Sequence, residues 1–205
     1  MKLIWVRHGE TRENRQRRYL GHSDPPLSDE GIAQVSRLAE RLYAAIDQPQ
    51  AVYTSDLQRC RQTAEAIARR WSLPPQEVPA LRELSFGDWE LLTYDELMQK
   101  DAVRAQHWYD DPYTRKPPNG ESLQELGARV DAWLGSLLEQ SRDSEQTIVL
   151  VSHGGVIRWF EAAWLRQDRD SYWQVEGLKH GDAMLVALDG ERWRGQQWQN
   201  GGMRA

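Results

Sequence analysis

Leu3-Ile4-Trp5-Val6 is an unbroken apolar run, which predicts a short strand covered on both faces. A polar stretch from Arg12 to Asp24 follows and ends at Pro25-Pro26-Leu27-Ser28. Ser28 is placed to cap a helix whose first turn holds Asp29 and Glu30, acids that suit the positive end of a helix. Ile32, Val35, Leu38, Ala39, Leu42 and Ile46 then recur at the spacing of one helical face. Ala51-Val52-Tyr53-Thr54 predicts a second strand. Ser55-Asp56-Leu57-Gln58 has the form of a capping box opening a helix that runs to about Trp71, before Pro74-Pro75 stops it. Leu81 to Glu90 reads as a loop or short strand, Tyr94 to about His107 as helix, and Asp110 to Gly120, with three prolines, as loop. Leu123, Leu126, Val130, Trp133, Leu134 and Leu137 form a helical stripe too short for a coiled coil and suited to a core face. Thr147 to Val151 is the strongest strand pattern, followed by Gly154-Gly155 and a helix from Val156 to Leu165. Asp182 to Leu188 and Glu191 to Trp198 predict a hairpin around Asp189-Gly190, and residues 200–205 read as a frayed end.

Strands alternating with helices predict an α/β fold, a three-layer α/β/α sandwich with a mostly parallel central sheet and helices on both faces. A chain of 205 residues fits one domain, 1–205. With 26 basic and 31 acidic residues, the net charge is −5, which excludes a general attraction to nucleic acid or anionic lipid. An anionic ligand must then be held by a local positive cluster. No apolar run approaches the ~18 residues of a membrane span, and the N-terminal run is too short for a signal peptide. The expectation is a soluble cytoplasmic protein with no nucleic-acid or membrane partner; a homodimer is compatible with the sequence. A single cysteine, Cys60, excludes an internal disulfide and a cysteine-based zinc site. The ten tryptophans read as core and surface aromatics.

Parallel α/β sheets bind ligands at the carboxyl ends of their strands. Arg7-His8-Gly9-Glu10 stands at that end of the first strand and Ser152-His153-Gly154-Gly155 at that end of the Thr147–Val151 strand. Arg59 lies one turn into the helix after the Ala51–Thr54 strand. If these strands are parallel neighbours, two histidines and two arginines meet at one sheet edge. Arginine's planar fork suits phosphate oxygens and repels a cation, so the cluster points to phosphate rather than metal. No His-Glu-x-x-His motif, P-loop or Gly-x-Ser-x-Gly elbow occurs, and Cys60 has Ala66, not arginine, six residues on. Histidine is left as the nucleophile.

Six segments in order carry a resemblance to a known family. They are Val6-Arg7-His8-Gly9-Glu10-Thr11 with Asn14; Gly21 to Gly31; Tyr53 to Ala64; Leu81 to Glu90; Pro118-Asn119-Gly120-Glu121-Ser122; and Val151 to Arg158. Together they resemble the histidine phosphatase (phosphoglycerate mutase-like) superfamily over residues 2 to about 165. The resemblance implies that His8 attacks phosphorus to give a phosphohistidine, with Glu83 as general acid and then base. It implies that Arg7, Arg59 and His153 hold the phosphoryl oxygens, with Asn14 and the Gly154 amide as supporting contacts. It implies no metal and no cofactor, and a small-molecule phosphate monoester as partner.

In the family this chain resembles, the phosphoglycerate mutases carry a longer segment between these two positions; only 69 residues lie between Glu83 and His153, so the resemblance implies hydrolysis rather than mutase-type transfer. The Phe86-Gly87-Asp88-Trp89-Glu90 run and the Pro-Asn-Gly-Glu-Ser turn look similar to the alpha-ribazole phosphatase group, whose substrate carries a flat benzimidazole ring. Residues about 85–120 are expected to form a lid, where Trp89, Tyr94, Trp108, Tyr109 and Tyr113 could stack on that ring or only pack. Gly21, His22, Ser23 and Trp89 are candidate pocket residues, and His22 and Arg61 could equally line the entrance or sit on ordinary surface. His107 and His180 read as structural, and Cys60 as a buried small residue. A broad acid or sugar phosphatase and a mutase-type phosphotransferase are the competing readings.

Overall fold

Strand β1 (Lys2–Arg7) alternates its side chains between two cores, which is why its apolar run is unbroken. Leu3 and Trp5 face one cluster, with Ile148, Leu150, Met184 and Val186. Ile4 and Val6 face the other, with Val52, Val149, Val151 and Ala183. The computed structural model describes residues 1–140, 146–189 and 192–197.

The further elements are helix α1 (Arg12–Arg15), α2 (Asp29–Ala45), strand β2 (Ala51–Thr54), α3 (Gln58–Ala68), β3 (Gln76–Glu77), α4 (Tyr94–Asp110), α5 (Leu123–Gln140), β4 (Thr147–Ser152), α6 (Gly154–Phe160), β5 (Ala183–Asp189) and β6 (Arg192–Gln197). The sheet order is β3-β2-β4-β1-β5-β6. The first four of these strands are mutually parallel, and β5 and β6 add an antiparallel edge. Helices α2 and α3 cover one face, while α4, α5 and α6 pack on the other. The sheet is thus mostly parallel with helices on both sides, as the alternating pattern predicts. Among the described residues no helix is long and apolar enough to cross a membrane.

Several local expectations change. Ile32 is 53% exposed and is not part of the buried face of α2, which uses Gly31, Val35, Leu38, Ala39 and Leu42. Ile46 is the residue that ends the helix rather than a member of it. Ser55 does not cap α3: the helix starts after Leu57 with no local side-chain cap, and the Gln58 amide donates to Asp24 Oδ1 at 2.5 Å instead. The last predicted turn before Trp71 is a separate 3-10 turn, Arg69–Trp71. Leu81 to Glu90 contains no strand, only a turn at Gly87–Trp89, whereas the two-residue β3 appears where none is predicted. Helix α6 begins two residues early, at Gly154, and Glu161–Leu165 continues it as a wider π turn. The hairpin is present as β5 and β6; Gly190, Glu191, Trp198 and residues 200–205 lie outside the described residues.

Candidate active site

Strand register brings the two histidines together. Arg7 pairs with Ser152 across β1 and β4, so His8 and His153 leave adjacent strands at the same level. The His8 amide donates to Ser152 O at 3.1 Å, and the two rings lie 5.0 Å apart between centroids. Strand β2 pairs with β4 on its other side, with Thr54 opposite Val151, which delivers α3 and Arg59 to the same edge. The three strands are therefore parallel neighbours, as the convergence of these residues requires.

His8 is 3% exposed. Its Nδ1 lies 2.7 Å from Gly9 O. A carbonyl only accepts, so Nδ1 carries the proton and Nε2 keeps the free lone pair. Burial, then the charges of Arg59, His180 and Arg7, hold the His8 pKa well below the ordinary histidine value. The ring is thus neutral at neutral pH, the form a nucleophile needs. His153 is fully buried, and its pKa is depressed by burial first and then by Arg59, His8, Arg129 and Arg7. Its Nε2 is hydrogen-bonded to Ser55 Oγ at 2.9 Å, and the same hydroxyl accepts from the Leu57 amide just ahead of α3 at 3.3 Å. Cys60 Sγ lies 3.3 Å from the same nitrogen; burial pushes its thiol pKa up, so it is an inert neighbour.

Arg59 is buried and Arg7 half-buried; desolvation lowers the pKa of both, yet guanidinium remains charged. Arg59 donates from Nη1 to Ser23 O at 2.8 Å and from Nη2 to Gly21 O at 2.7 Å. Arg7 donates from Nη1 to Leu178 O at 2.7 Å. In each case Nε is buried without a hydrogen-bond partner. Gly154 opens α6 beside Arg7, its Cβ position 3.1 Å from the guanidinium carbon.

Glu83 reaches the same place from the Leu81–Glu90 loop. Both carboxylate oxygens accept from the Gly155 amide at 3.1 Å, and Oε1 also accepts from Leu84 N at 2.9 Å. A Cβ at 155 would stand 2.2 Å from Glu83 Oε1 and 3.2 Å from the buried Tyr172 hydroxyl, so only glycine admits the carboxylate here. The Glu83 main chain is held from behind. Its carbonyl accepts from Arg129 Nη2 at 2.9 Å and His22 Nε2 at 3.0 Å, and Arg129 forms a two-pronged pair with Glu121.

Asn14 sits in α1, where its Oδ1 accepts from Thr11 N and leaves Nδ2 as its donor group. Gly21, His22 and Ser23 form the loop that grips Arg59. Glu90 holds that loop by accepting from the amides of His22 and Ser23 and from Ser23 Oγ. A Cβ at Gly21 would come within 2.4 Å of Glu90 Oε1. Trp89, expected in the pocket, is 1% exposed; its Nε1 donates to Asp101 and its ring packs on Trp108. It is a core residue with no face left for a ligand. Trp108 is likewise buried, and Tyr109 and Tyr113 spend their hydroxyls on Tyr19 and on Arg169 O. Tyr94, in contrast, is 53% exposed. Arg61 lies on the surface 3.7 Å from Glu77. His180, read as structural, instead sits beside His8, its ring centroid 5.3 Å from that of His8. Arg129, Glu121, Ser55 and Glu90 also serve the site through its supports. Ser55, Glu90 and Glu121 lie within the segments that carry the family resemblance, but their roles could not be read there because their partners are distant in the chain.

Comparison with known proteins bears on this geometry directly. Residues 3–201 match the model of the histidine phosphatase superfamily (branch 1). The chain belongs to the histidine phosphatase superfamily. This histidine phosphatase is 35% identical over 173 residues to an adenosylcobalamin/alpha-ribazole phosphatase of Escherichia coli, covering 84% of this chain and 83% of that one. It is 32% identical over 159 residues to a 2,3-bisphosphoglycerate-dependent phosphoglycerate mutase of Bartonella bacilliformis, covering 76% and 77%. In three dimensions it is similar to the alpha-ribazole phosphatase of Shigella flexneri, with a TM-score of 0.89, 30% identity, and coverage of 100% and 99%. As a histidine phosphatase it is a hydrolase of small phosphate substrates.

Proposed function

We propose that this phosphatase hydrolyses a monoester of a nucleoside-like alcohol, of the alpha-ribazole 5′-phosphate type, through a phosphohistidine on His8. The observation that carries the reading is the tautomer of His8: Nδ1–H is spent on Gly9 O, leaving a neutral Nε2 lone pair beside Arg7 and Arg59. In the first step this lone pair forms the N–P bond as the P–O bond to the alcohol breaks, and Glu83, as the acid, gives its proton to the departing oxygen. In the second, the Glu83 carboxylate takes a proton from water, whose oxygen bonds phosphorus as the N–P bond breaks. Inorganic phosphate leaves and His8 is restored. Arg7, Arg59 and His153 hold the three non-bridging oxygens, and their charge and hydrogen bonds stabilise the transferring group without rearrangement. Asn14 Nδ2 and the Gly154 amide add donors. Residues 85–120 cover the leaving group as a lid whose aromatic rings chiefly pack on one another, with Tyr94 the ring available to a base. The E. coli and Shigella relatives, named for alpha-ribazole, support this substrate class.

The test is phosphate release by EDTA-treated protein from alpha-ribazole 5′-phosphate, 3-phosphoglycerate, sugar phosphates and p-nitrophenyl phosphate. The expected result is the highest kcat/KM on alpha-ribazole phosphate and no turnover by a folded His8→Ala variant. Equal rates across the panel would remove the substrate assignment, and an active His8→Ala variant would remove the mechanism.

A further inference from the structure

The segment from Leu178 to Asp182 is fastened to the catalytic end of β1. Arg7 donates from Nη1 to Leu178 O and from its amide to Asp182 O, at 2.7 and 3.1 Å. In return the Gly181 amide donates to Arg7 O and His8 O at 3.2 and 3.1 Å. His180 stands between these ties, so its backbone is fixed on both sides relative to the nucleophile. Its ring lies 5.3 Å from that of His8, nearly the 5.0 Å that separates His8 from His153. The His180 Nε2 atom is buried and makes no hydrogen bond among the described residues, although an unpaired buried polar atom costs about 1–3 kcal/mol.

The geometry points to His180 as a further phosphoryl-binding residue of the site, donating Nε2–H to an oxygen of the group carried on His8. This rests on the reading of His8 as the phosphoryl acceptor. The chemistry of the surroundings fixes the form of the donor. A third cation beside Arg7 and Arg59 would be repelled by both. Burial first, and then those two arginines, push the His180 pKa down to about 3, so the ring is neutral throughout the working range. A neutral imidazole presents either a lone pair or an N–H at Nε2. Facing an anion, only the N–H tautomer is attractive. His180 therefore supplies a rigid, uncharged donor, in the manner of an oxyanion-hole group, where a charged one could not be held.

The experiment compares His180→Ala and His180→Gln with the wild type, reading kcat and KM on p-nitrophenyl phosphate, inhibition by vanadate, and binding of inorganic phosphate by 31P NMR. Loss of one preorganised donor predicts a fall in kcat of about 10²-fold for the alanine variant, with KM changed much less. Vanadate inhibition should weaken in step. Glutamine, which keeps an N–H donor, should recover part of the loss and serves as the test should the alanine variant fail to fold. Because His180 does not titrate above about pH 3, the ratio of wild-type to variant rates should be flat from pH 5 to 8. Wild-type kcat and vanadate inhibition in folded variants would overturn the proposal, as would a loss that grows or shrinks across that pH range. An inactive wild type would instead strike the phosphatase reading, and phosphate binding by the variants would still decide whether His180 contacts the anion.

Discussion

Replacing Glu90 should disable the enzyme at a distance, through the loop that grips Arg59. One Glu90 carboxylate accepts four hydrogen bonds: from Ser23 N at 2.5 Å and Ser23 Oγ on Oε2, and from His22 N at 2.7 Å and Phe86 N at 3.3 Å on Oε1. Glu90→Gln keeps the shape but turns one acceptor into a donor. With the amide NH2 at the Oε1 position the bonds from His22 N and Phe86 N are lost; at the Oε2 position the Ser23 hydroxyl can turn to accept from it, and only the bond from Ser23 N is lost. A hydrogen bond to a charged group is worth about 1.5–3 kcal/mol, and the partial exposure of the site reduces that, so the expected destabilisation in the better orientation is about 1–2 kcal/mol. The kinetic effect follows from what the loop carries. Gly21 O and Ser23 O receive Arg59 Nη2 and Nη1, and a displacement of about 1 Å in a positioning group can cost ~10²-fold in rate. Urea unfolding measures the first effect. The second is read as kcat/KM at a temperature where the variant is wholly folded, with a 10- to 100-fold fall expected. A variant with unchanged midpoint and unchanged kcat/KM would refute the reasoning. Lower stability with full activity would show that α3 alone holds Arg59.

Three further outcomes are expected. Glu83→Gln should slow esters of poor alcohol leaving groups far more than p-nitrophenyl phosphate, whose leaving group needs little protonation; equal losses would remove Glu83 from the acid role. His8 and His153 are held neutral in the fold while the unfolded chain takes up their protons near pH 6.5, so stability must fall as pH drops below 6.5. The fall should be about 2 kcal/mol for the pair between pH 6 and 5, and an unfolding midpoint equal at pH 7.5 and 5 would contradict it. Trp89→Ala should cost about 3–5 kcal/mol in urea unfolding as a core truncation, with KM nearly unchanged at temperatures where it is folded; a large KM rise at full stability would return Trp89 to the pocket.

Strands β1, β2 and β4 and helices α2 and α5 were legible because burial on one or both faces imposes a period on their residues. The catalytic edge was legible for a related reason: Arg7, His8 and His153 sit at strand ends, and topology does the rest. What escaped depends on contacts between distant segments. Strand β3 is two exposed residues, Gln76 and Glu77, with no pattern to read. The cap of α3 comes from Asp24, 34 positions away, while Ser55, which has the local form of a cap, serves His153. Trp89 lies in a run that resembles a pocket motif, yet its ring is drawn into the aromatic core by Trp108 and Asp101. His180 is carried to the nucleophile by main-chain bonds of its neighbours, which leave no mark on the residues around it.

The way Arg7 and Arg59 are held reaches into how the enzyme behaves in solution. Their hydrogen bonds go to main-chain carbonyls, which orient a guanidinium without neutralising it. Desolvated positive charge of this kind opposes folding, and any tetrahedral oxyanion that fills the cradle relieves it. Inorganic phosphate, the reaction's own product, does so as well as the substrate's phosphoryl group. The enzyme should therefore be braked by its product and steadied by it at once. Phosphate at a hundred times its dissociation constant would add about 2.7 kcal/mol to stability, so a phosphate-rich medium makes the protein harder to melt and slower to turn over.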